Sequence, residues 1–420
     1  MQRRRSRRRS FQPNRRFRTP RVHRPSQDYA VVASTGTDND YLVNTEPEIH
    51  LEYMPALFYR FPTAAEEIDW VSLRGAEIPS VPKRLIKSQH LFGENYIFLK
   101  QELLDFHTIP ETDAKKLEFI LAEPEVERAK TFVASGRAGD FHCLAIAKAA
   151  KELGKKAVII LRQAPMTTKQ VRAVMAMMNL GARVYMRETP RGFQWTMGWQ
   201  RFLSRFTRRV ILDEAGACGS GALGYVSALC ELEAQVKAGE IPEPDYLVVP
   251  VVSGTSLAGL ELGKKLLGWD RLKIQGVATH CESQTLRKDM AEIANEASEV
   301  LAQALNKKPW VFSENDFFVD FSVVGLNPIS DDIYRWLIRW NELELVDMDM
   351  ERSGRALYGM AKWIEKRSLK NQKIVFWSIS SPFRSGDLGN FQGYSAIPQK
   401  LKRWIREEQR LGRLMDIGKI

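Results

Sequence analysis

Cysteine is scarce in this chain: 420 residues hold four, Cys143, Cys218, Cys230 and Cys281. None forms a CxxC pair or a metal-ligand spacing, which argues against a disulfide framework and a zinc ribbon and leaves reduced thiols in a reducing compartment. Long apolar runs are missing too. No stretch of about 18 apolar residues occurs, so no membrane-spanning helix and no membrane partner is expected. The most apolar segment, Tyr246–Leu262, is interrupted by Ser253-Gly254-Thr255-Ser256, which suits a strand, a loop and a helix. Histidine is limited to six residues, and no Ser-His-Asp or metal-ligand pattern can be built from them. His142 and His280 are singled out only by their neighbourhood, one after a degenerate loop and one at a strand end.

Acidic residues are absent from the first 27 positions, where arginine dominates instead. Arg3, Arg4, Arg5, Arg7, Arg8, Arg9, Arg15, Arg16, Arg18, Arg21 and Arg24 fill 11 of the first 25 places. The whole chain has 62 basic and 51 acidic side chains, a net charge of +11, so the excess equals those arginines and the remainder is neutral. A block of this kind addresses a polyanion or a targeting system. Three readings stay open. The arm wraps RNA, with guanidinium forks on phosphate and Phe11 and Phe17 stacking on bases; it is a mitochondrial or nuclear targeting segment, although Pro13, Pro20 and Pro25 spoil an amphipathic helix; or it is a solvated tail.

With 44% hydrophobic residues the remainder has ample core. Short apolar runs at Asn95–Leu99, Thr131–Ala134, Ala157–Leu161, Ala182–Met186, Tyr246–Val252, Leu272–Ala278 and Lys373–Trp377 read as strands. Helical stretches between them open near Ala114 and cover Asp140–Leu153, Thr168–Leu180 and Leu257–Leu267. Strands alternating with helices of this length imply a three-layer α/β protein with parallel sheets. The expected division is an arm at 1–30, a surface extension at 31–65, a larger α/β lobe from 66–122 and 210–420, and a smaller lobe at 123–209. The segment Arg187–Arg209 mixes arginine with Phe193, Trp195, Trp199, Phe202 and Phe206. It is either an amphipathic helix that buries its aromatics or a basic, aromatic contact surface.

Several motifs fall in a telling order. Lys116–Ile120 opens a helix, Val133–Gly136 ends a strand, and Ala215-Gly216 with Gly219, Gly221 and Gly224 turns into a second helix. Ser253, Gly254, Thr255 and Ser256 then form a small-residue loop able to converge N–H groups on an anion. Over residues 80–385 the chain resembles the pyridoxal-phosphate enzymes related to 1-aminocyclopropane-1-carboxylate deaminase and D-cysteine desulfhydrase. The resemblance implies the two-lobed tryptophan-synthase-β-like architecture, pyridoxal-phosphate fold type II.

It also implies lost chemistry. The family motif Gly-Gly-Asn-Lys-x-Arg-Lys-Leu-Glu, laid on by its Lys-Leu-Glu, places the cofactor-attaching lysine at Asp113. A carboxylate is not an amine nucleophile. Lys115 lies two positions on, about 200° around a helix. The Gly-Gly-x-Gln-Ser-Asn loop falls on Ser135–Asp140, where the serine is Gly139, the glutamine Ala138 and the asparagine Asp140. A family tyrosine matches Met350 in the segment Asp347–Met350, and a hydroxyl of the late His-Thr-Gly-Gly-x-Pro strand end matches Ile379 in Ser378–Pro382.

The expectation from these positions is a non-catalytic pseudoenzyme with no covalently bound cofactor. It would serve as a structural, RNA-binding subunit beside rRNA and neighbouring proteins, most simply in a mitochondrial ribosome, with nuclear or cytoplasmic placement as alternatives. The competing expectation is a pyridoxal-phosphate-dependent amino-acid deaminase or desulfhydrase that uses Lys115, Lys116 or a distant lysine. A protein-only scaffold, in which the emptied cleft or the 26–65 extension docks a partner, is a third.

Overall fold

Ten strands assemble into two sheets: β1 Lys83–Leu85, β2 Tyr96–Gln101, β3 Thr131–Arg137, β4 Lys156–Arg162, β5 Arg183–Arg187, β6 Arg209–Ile211, β7 Tyr246–Val251, β8 Lys273–Ala278, β9 Val319–Asp320 and β10 Lys373–Ser378. The computed structural model describes residues 54–73, 81–102, 111–164, 168–279, 285–324, 330–346, 348–378 and 399–410. The arginine arm, Cys281, His280, Asp347 and Ile379 lie outside the described residues. Residues 50–420 form one compact unit that carries both sheets.

The larger sheet has the order β1-β2-β10-β7-β8-β9 and the smaller one β5-β4-β3-β6. Every pairing is parallel except β1 against β2, an antiparallel edge. Apolar strands of this kind need both faces covered. Side-chain alternation divides them accordingly: Val375 and Trp377 of β10 enter one core with β7 residues Leu247 and Val249, while Ile374 and Phe376 enter a second core. Helices Gly219–Lys237, Thr255–Leu267 and Leu286–Ala304 supply the first core, and Arg355–Arg367 with Trp340 the second. In the smaller sheet Phe132 and Ala134 of β3 face helices Glu111–Ile120, Phe141–Glu152 and Thr168–Asn179, and Val133 faces Met197 of helix Pro190–Ser204.

Two boundaries differ from expectation. Leu57 and Phe58 belong to the stretch expected on the surface, yet they are fully buried in the larger core, and the Leu57 N–H donates to Ser227 Oγ at 3.2 Å. Helix Gln399–Arg410 follows the larger sheet in sequence but packs Leu401, Trp404 and Ile405 into the smaller sheet's core. In both cases an amphipathic segment finds the nearest uncovered apolar face, and chain order does not decide which.

Candidate active site

Asp113 and Lys116 stand one turn apart on helix Glu111–Ile120, so their side chains share a face. The Lys116 ammonium lies 3.2 Å from Asp113 Oδ1 and donates to the Ala215 carbonyl at 3.0 Å. His142 brings Nδ1 to the same carboxylate oxygen at 2.8 Å. All three side chains are buried. Burial alone would raise the Asp113 pKa, but Lys116 and His142 outweigh it and hold the carboxyl below the usual carboxylate range.

Local sequence explains how the three groups meet. Asp140 caps helix Phe141–Glu152, accepting from the His142 and Cys143 N–H groups at 2.8 and 3.4 Å, and this fixes His142 on the first turn. Ala215 and Gly216 both have left-handed backbone, φ 59° and 65°, which turns the Ala215 carbonyl toward the Lys116 ammonium. A side chain on Gly216 would lie 3.4 Å from both His142 Cε1 and Lys116 Cδ, so the turn closes directly over the pair. His142 Nε2 is buried and has no hydrogen-bond partner among the described residues.

Lys115 points elsewhere, as its position around the helix demands. Its Nζ donates to Glu102 Oε1 at 3.1 Å and stands 5.4 Å from the centroid of the Trp377 ring. Glu102 also accepts from Trp377 Nε1 at 3.0 Å and from the Thr112 hydroxyl. Lys100 donates to Glu231 at 2.6 Å in the next layer. This internal polar network joins β2, β10 and helix Gly219–Lys237, and Lys100 and Lys115 are its buried cations.

The Ser253–Ser256 loop lies at the carboxyl end of β7, where parallel sheets place ligands. Gly254 is the N-cap of helix Thr255–Leu267, with φ 86° and no side-chain cap. The first N–H groups of such a helix lack intrahelical acceptors and collect positive potential. The Ser253 and Thr255 hydroxyls are 3.1 Å apart beside them. Two glycines bring this loop and the lysine helix onto one support. A Cβ at Gly221 would lie 3.3 Å from Ile120 Cδ1 and 3.4 Å from Thr255 Cγ2, and one at Gly224 would lie 2.0 Å from the Lys115 carbonyl oxygen.

The remaining sequence positions resolve differently. Gly139 has φ 75°, and a Cβ there would overlap Gln170 Cβ at 2.2 Å, so a serine is sterically excluded from that place. Ala138 is buried core and Asp140 is the helix cap just described. Met350 begins a π-helical turn, Met350–Gly354, capped by Asp349. The sequence offered no sign of Glu102, which is one acid at the end of an apolar strand, nor of the pairing between His142 and Asp113. That pairing spans 29 positions and has no periodicity to announce it.

A left-handed glycine opening a helix at the carboxyl edge of a parallel sheet, with a buried amine on a helix that shares the Gly219–Lys237 support, is an arrangement suited to a phosphate-bearing group. The comparisons with known proteins are specific on this point. Residues 81–379 match the family described as pyridoxal-phosphate dependent enzyme, and the chain belongs to that family. A Pyrococcus horikoshii protein provisionally named as a 1-aminocyclopropane-1-carboxylate deaminase is 25% identical over 298 residues, covering 69% of this chain and 87% of the relative. The Pyrococcus furiosus protein of the same name is 26% identical over 302 residues, with the same coverage. Among solved structures, an ACC deaminase homologue superposes with a TM-score of 0.62 at 21% identity, covering 84% of this chain and all of its own. Escherichia coli diaminopropionate ammonia lyase gives 0.50 at 16% identity, covering 73% and 83%. The expected fold type II architecture is therefore the one present.

The family also overturns two expectations. Asp113, Gly139, Met350 and Ile379 argue for a non-enzyme without cofactor, yet the family is one of enzymes that take pyridoxal phosphate. Lys116, one turn along the helix, brings an amine to within 3.2 Å of the Asp113 carboxylate. The residues present fit the group. The uncapped Gly254 helix start and two hydroxyls suit its phosphate, Lys116 offers a buried amine 3.2 Å from Asp113, the residue at the family's lysine position, and His142 Nε2 is an orphaned polar atom beside it.

Proposed function

We propose that this protein is a pyridoxal-phosphate-dependent enzyme that deaminates or desulfhydrates a small amino acid, with Lys116 as its cofactor-attaching amine. The contact of Lys116 Nζ and His142 Nδ1 with one Asp113 oxygen, at 3.2 and 2.8 Å, carries the reading. The names of the Pyrococcus relatives support the substrate class. Ser253, Thr255 and the N–H groups after Gly254 would hold its phosphate. When bound, pyridoxal phosphate supplies an electron sink for charge developing on the amino-acid carbon.

The chain's own residues do the proton work. Lys116 must shed a proton before its nitrogen is nucleophilic. Asp113 fixes the His142 tautomer through Nδ1 and leaves Nε2 as the acid–base atom, a task the family gives to the serine that Gly139 cannot replace. Asp113 also holds the Lys116 side chain in place through their 3.2 Å ion pair.

Borohydride reduction of the protein mixed with pyridoxal phosphate, followed by peptide mass mapping, tests this. One stoichiometric adduct on Lys116 is expected, lost in Lys116→Ala and retained in Lys115→Ala. An adduct elsewhere, or none, sinks the assignment. Release of 2-oxo acid from 1-aminocyclopropane-1-carboxylate or from D-cysteine then separates the two activities.

The arginine arm supports a second, compatible reading, that the enzyme is tethered to RNA. Eleven guanidinium groups within 25 residues and no carboxylate favour a phosphate backbone over a protein surface of mixed charge.

A further inference from the structure

Helix Pro190–Ser204 presents to solvent the aromatics that its sequence would be expected to bury. Trp195, Trp199, Phe202 and Phe206 are 69, 47, 47 and 73% exposed. Steps of four, three and four residues put them in one stripe along the helix and the turn that follows. Adjacent rings lie 6.4, 5.6 and 5.2 Å apart between centroids, and the two indoles are parallel to within 5°. The opposite face is committed. Met197 packs on Val133, Val158 and Ile160, Thr196 accepts from Arg187 Nε at 2.6 Å, and Gln200 accepts from Arg209 Nη1 at 2.8 Å. Rotation of the helix to hide the stripe would break all of these contacts.

Arg191, Arg201 and Arg205 are exposed as well, and at 100° per residue they fall along one flank of the stripe. No acidic residue occurs between Glu188 and Asp213. Gly198 interrupts the boundary between the two rows, and a Cβ built there meets nothing within 4 Å.

We propose that this face binds single-stranded RNA, with bases stacking on the aromatic stripe and the phosphate backbone running along the arginine flank. Two parallel rows of different chemistry match the two edges of a single strand. A helix lying in a membrane interface sets its charged face opposite its apolar one; here the opposite face is packed on a sheet and the cations occupy one side only. Protein interfaces share this aromatic and arginine content; what favours a nucleic acid is that the stretch carries no acidic residue and sets its cations along one flank of the rings. The assignment depends neither on the catalytic reading nor on the arginine arm.

The full-length protein is titrated with fluorescent oligouridylate of about 12 nucleotides, within the span of known single-strand sites, and with an RNA duplex of equal length. The variant Trp195→Leu/Trp199→Leu/Phe202→Leu keeps the stripe apolar and removes its π faces. It is expected to lose about tenfold or more in affinity for the single strand and little for the duplex, which contacts arginine and the arm alike. Arg201→Gln/Arg205→Gln should weaken single-strand binding as well, with a shallower salt dependence. Unchanged single-strand affinity in the leucine variant overturns the proposal. So does binding to phosphatidylserine vesicles without binding to oligouridylate, or a dimer that the leucine variant leaves intact and that excludes the oligonucleotide.

Discussion

Single side chains decide the chemistry of this protein, and what surrounds each one matters more than its identity in the sequence. Asp113 looks like a lost lysine until Lys116 and His142 are placed on its oxygen. The sequence showed the substitution because it is local. It concealed the cluster around Asp113, because the i,i+3 geometry matters only when the helix face is known, and His142 arrives from another element. Glu261 shows the same dependence in a measurable form. It is buried on helix Thr255–Leu267, 3.5 Å from the Lys264 ammonium, and burial pushes its carboxyl up to about 7 from 4.5. A raised carboxyl binds its proton more tightly in the folded state. Its contribution to stability is therefore complete below pH 4.5 and disappears as pH rises through 7, on the order of 3 kcal/mol in all. Glu261→Gln should flatten stability between pH 5 and 8 in urea titrations and make the protein more stable than the parent at pH 8. A variant with the parent's pH profile would show that Glu261 titrates near its ordinary value.

At the level of elements, buried parallel strands were readable because continuous apolar runs of this length leave little choice, and β3, β4, β7, β8 and β10 fall where those runs are. The short strands β1, β6 and β9 were not, since two or three residues carry no periodicity and are defined by the neighbour they pair with. Helix Pro190–Ser204 was recognisable as a helix, but the face it buries was not: exposing the aromatics is a choice made by Thr196, Met197 and Gln200, which the sheet holds. Helix-to-helix approach leaves a clearer trace in glycine. Gly224 puts its Cα where any Cβ would strike the Lys115 carbonyl oxygen, so Gly224→Ala must push helix Glu111–Ile120 away from helix Gly219–Lys237. Overpacking of this kind should cost roughly 2–3 kcal/mol. The same displacement moves Lys116 off the Ala215 carbonyl, so borohydride trapping should fall even where urea titration shows that most molecules are folded. Gly239, a left-handed glycine with open space around it, serves as a comparison: Gly239→Ala should lower stability by backbone strain and leave trapping unchanged.

The whole molecule divides its labour by charge. Outside the arm, basic and acidic side chains balance at 51 each, so the body has no net attraction for a polyanion, and what RNA affinity it has must be local. On the proposed tethering reading, the arm acts instead through number. If about half of its 11 arginines contact phosphate, counterion release gives log K a slope of roughly −4 against log salt, whatever the RNA sequence. Deleting residues 2–25 should remove most of that slope for duplex RNA, while the aromatic face keeps a smaller, weakly salt-dependent affinity for single strands. The two contributions are thus separable in one series of salt titrations on the full and shortened chains. A slope that survives the deletion would place the polyanion contact on the body, where the arginine flank of helix Pro190–Ser204 is one concentrated source of charge. Trapping of pyridoxal phosphate on Lys116 should be indifferent to the deletion, because Asp113, His142 and the Gly254 loop are all held by residues beyond the arm.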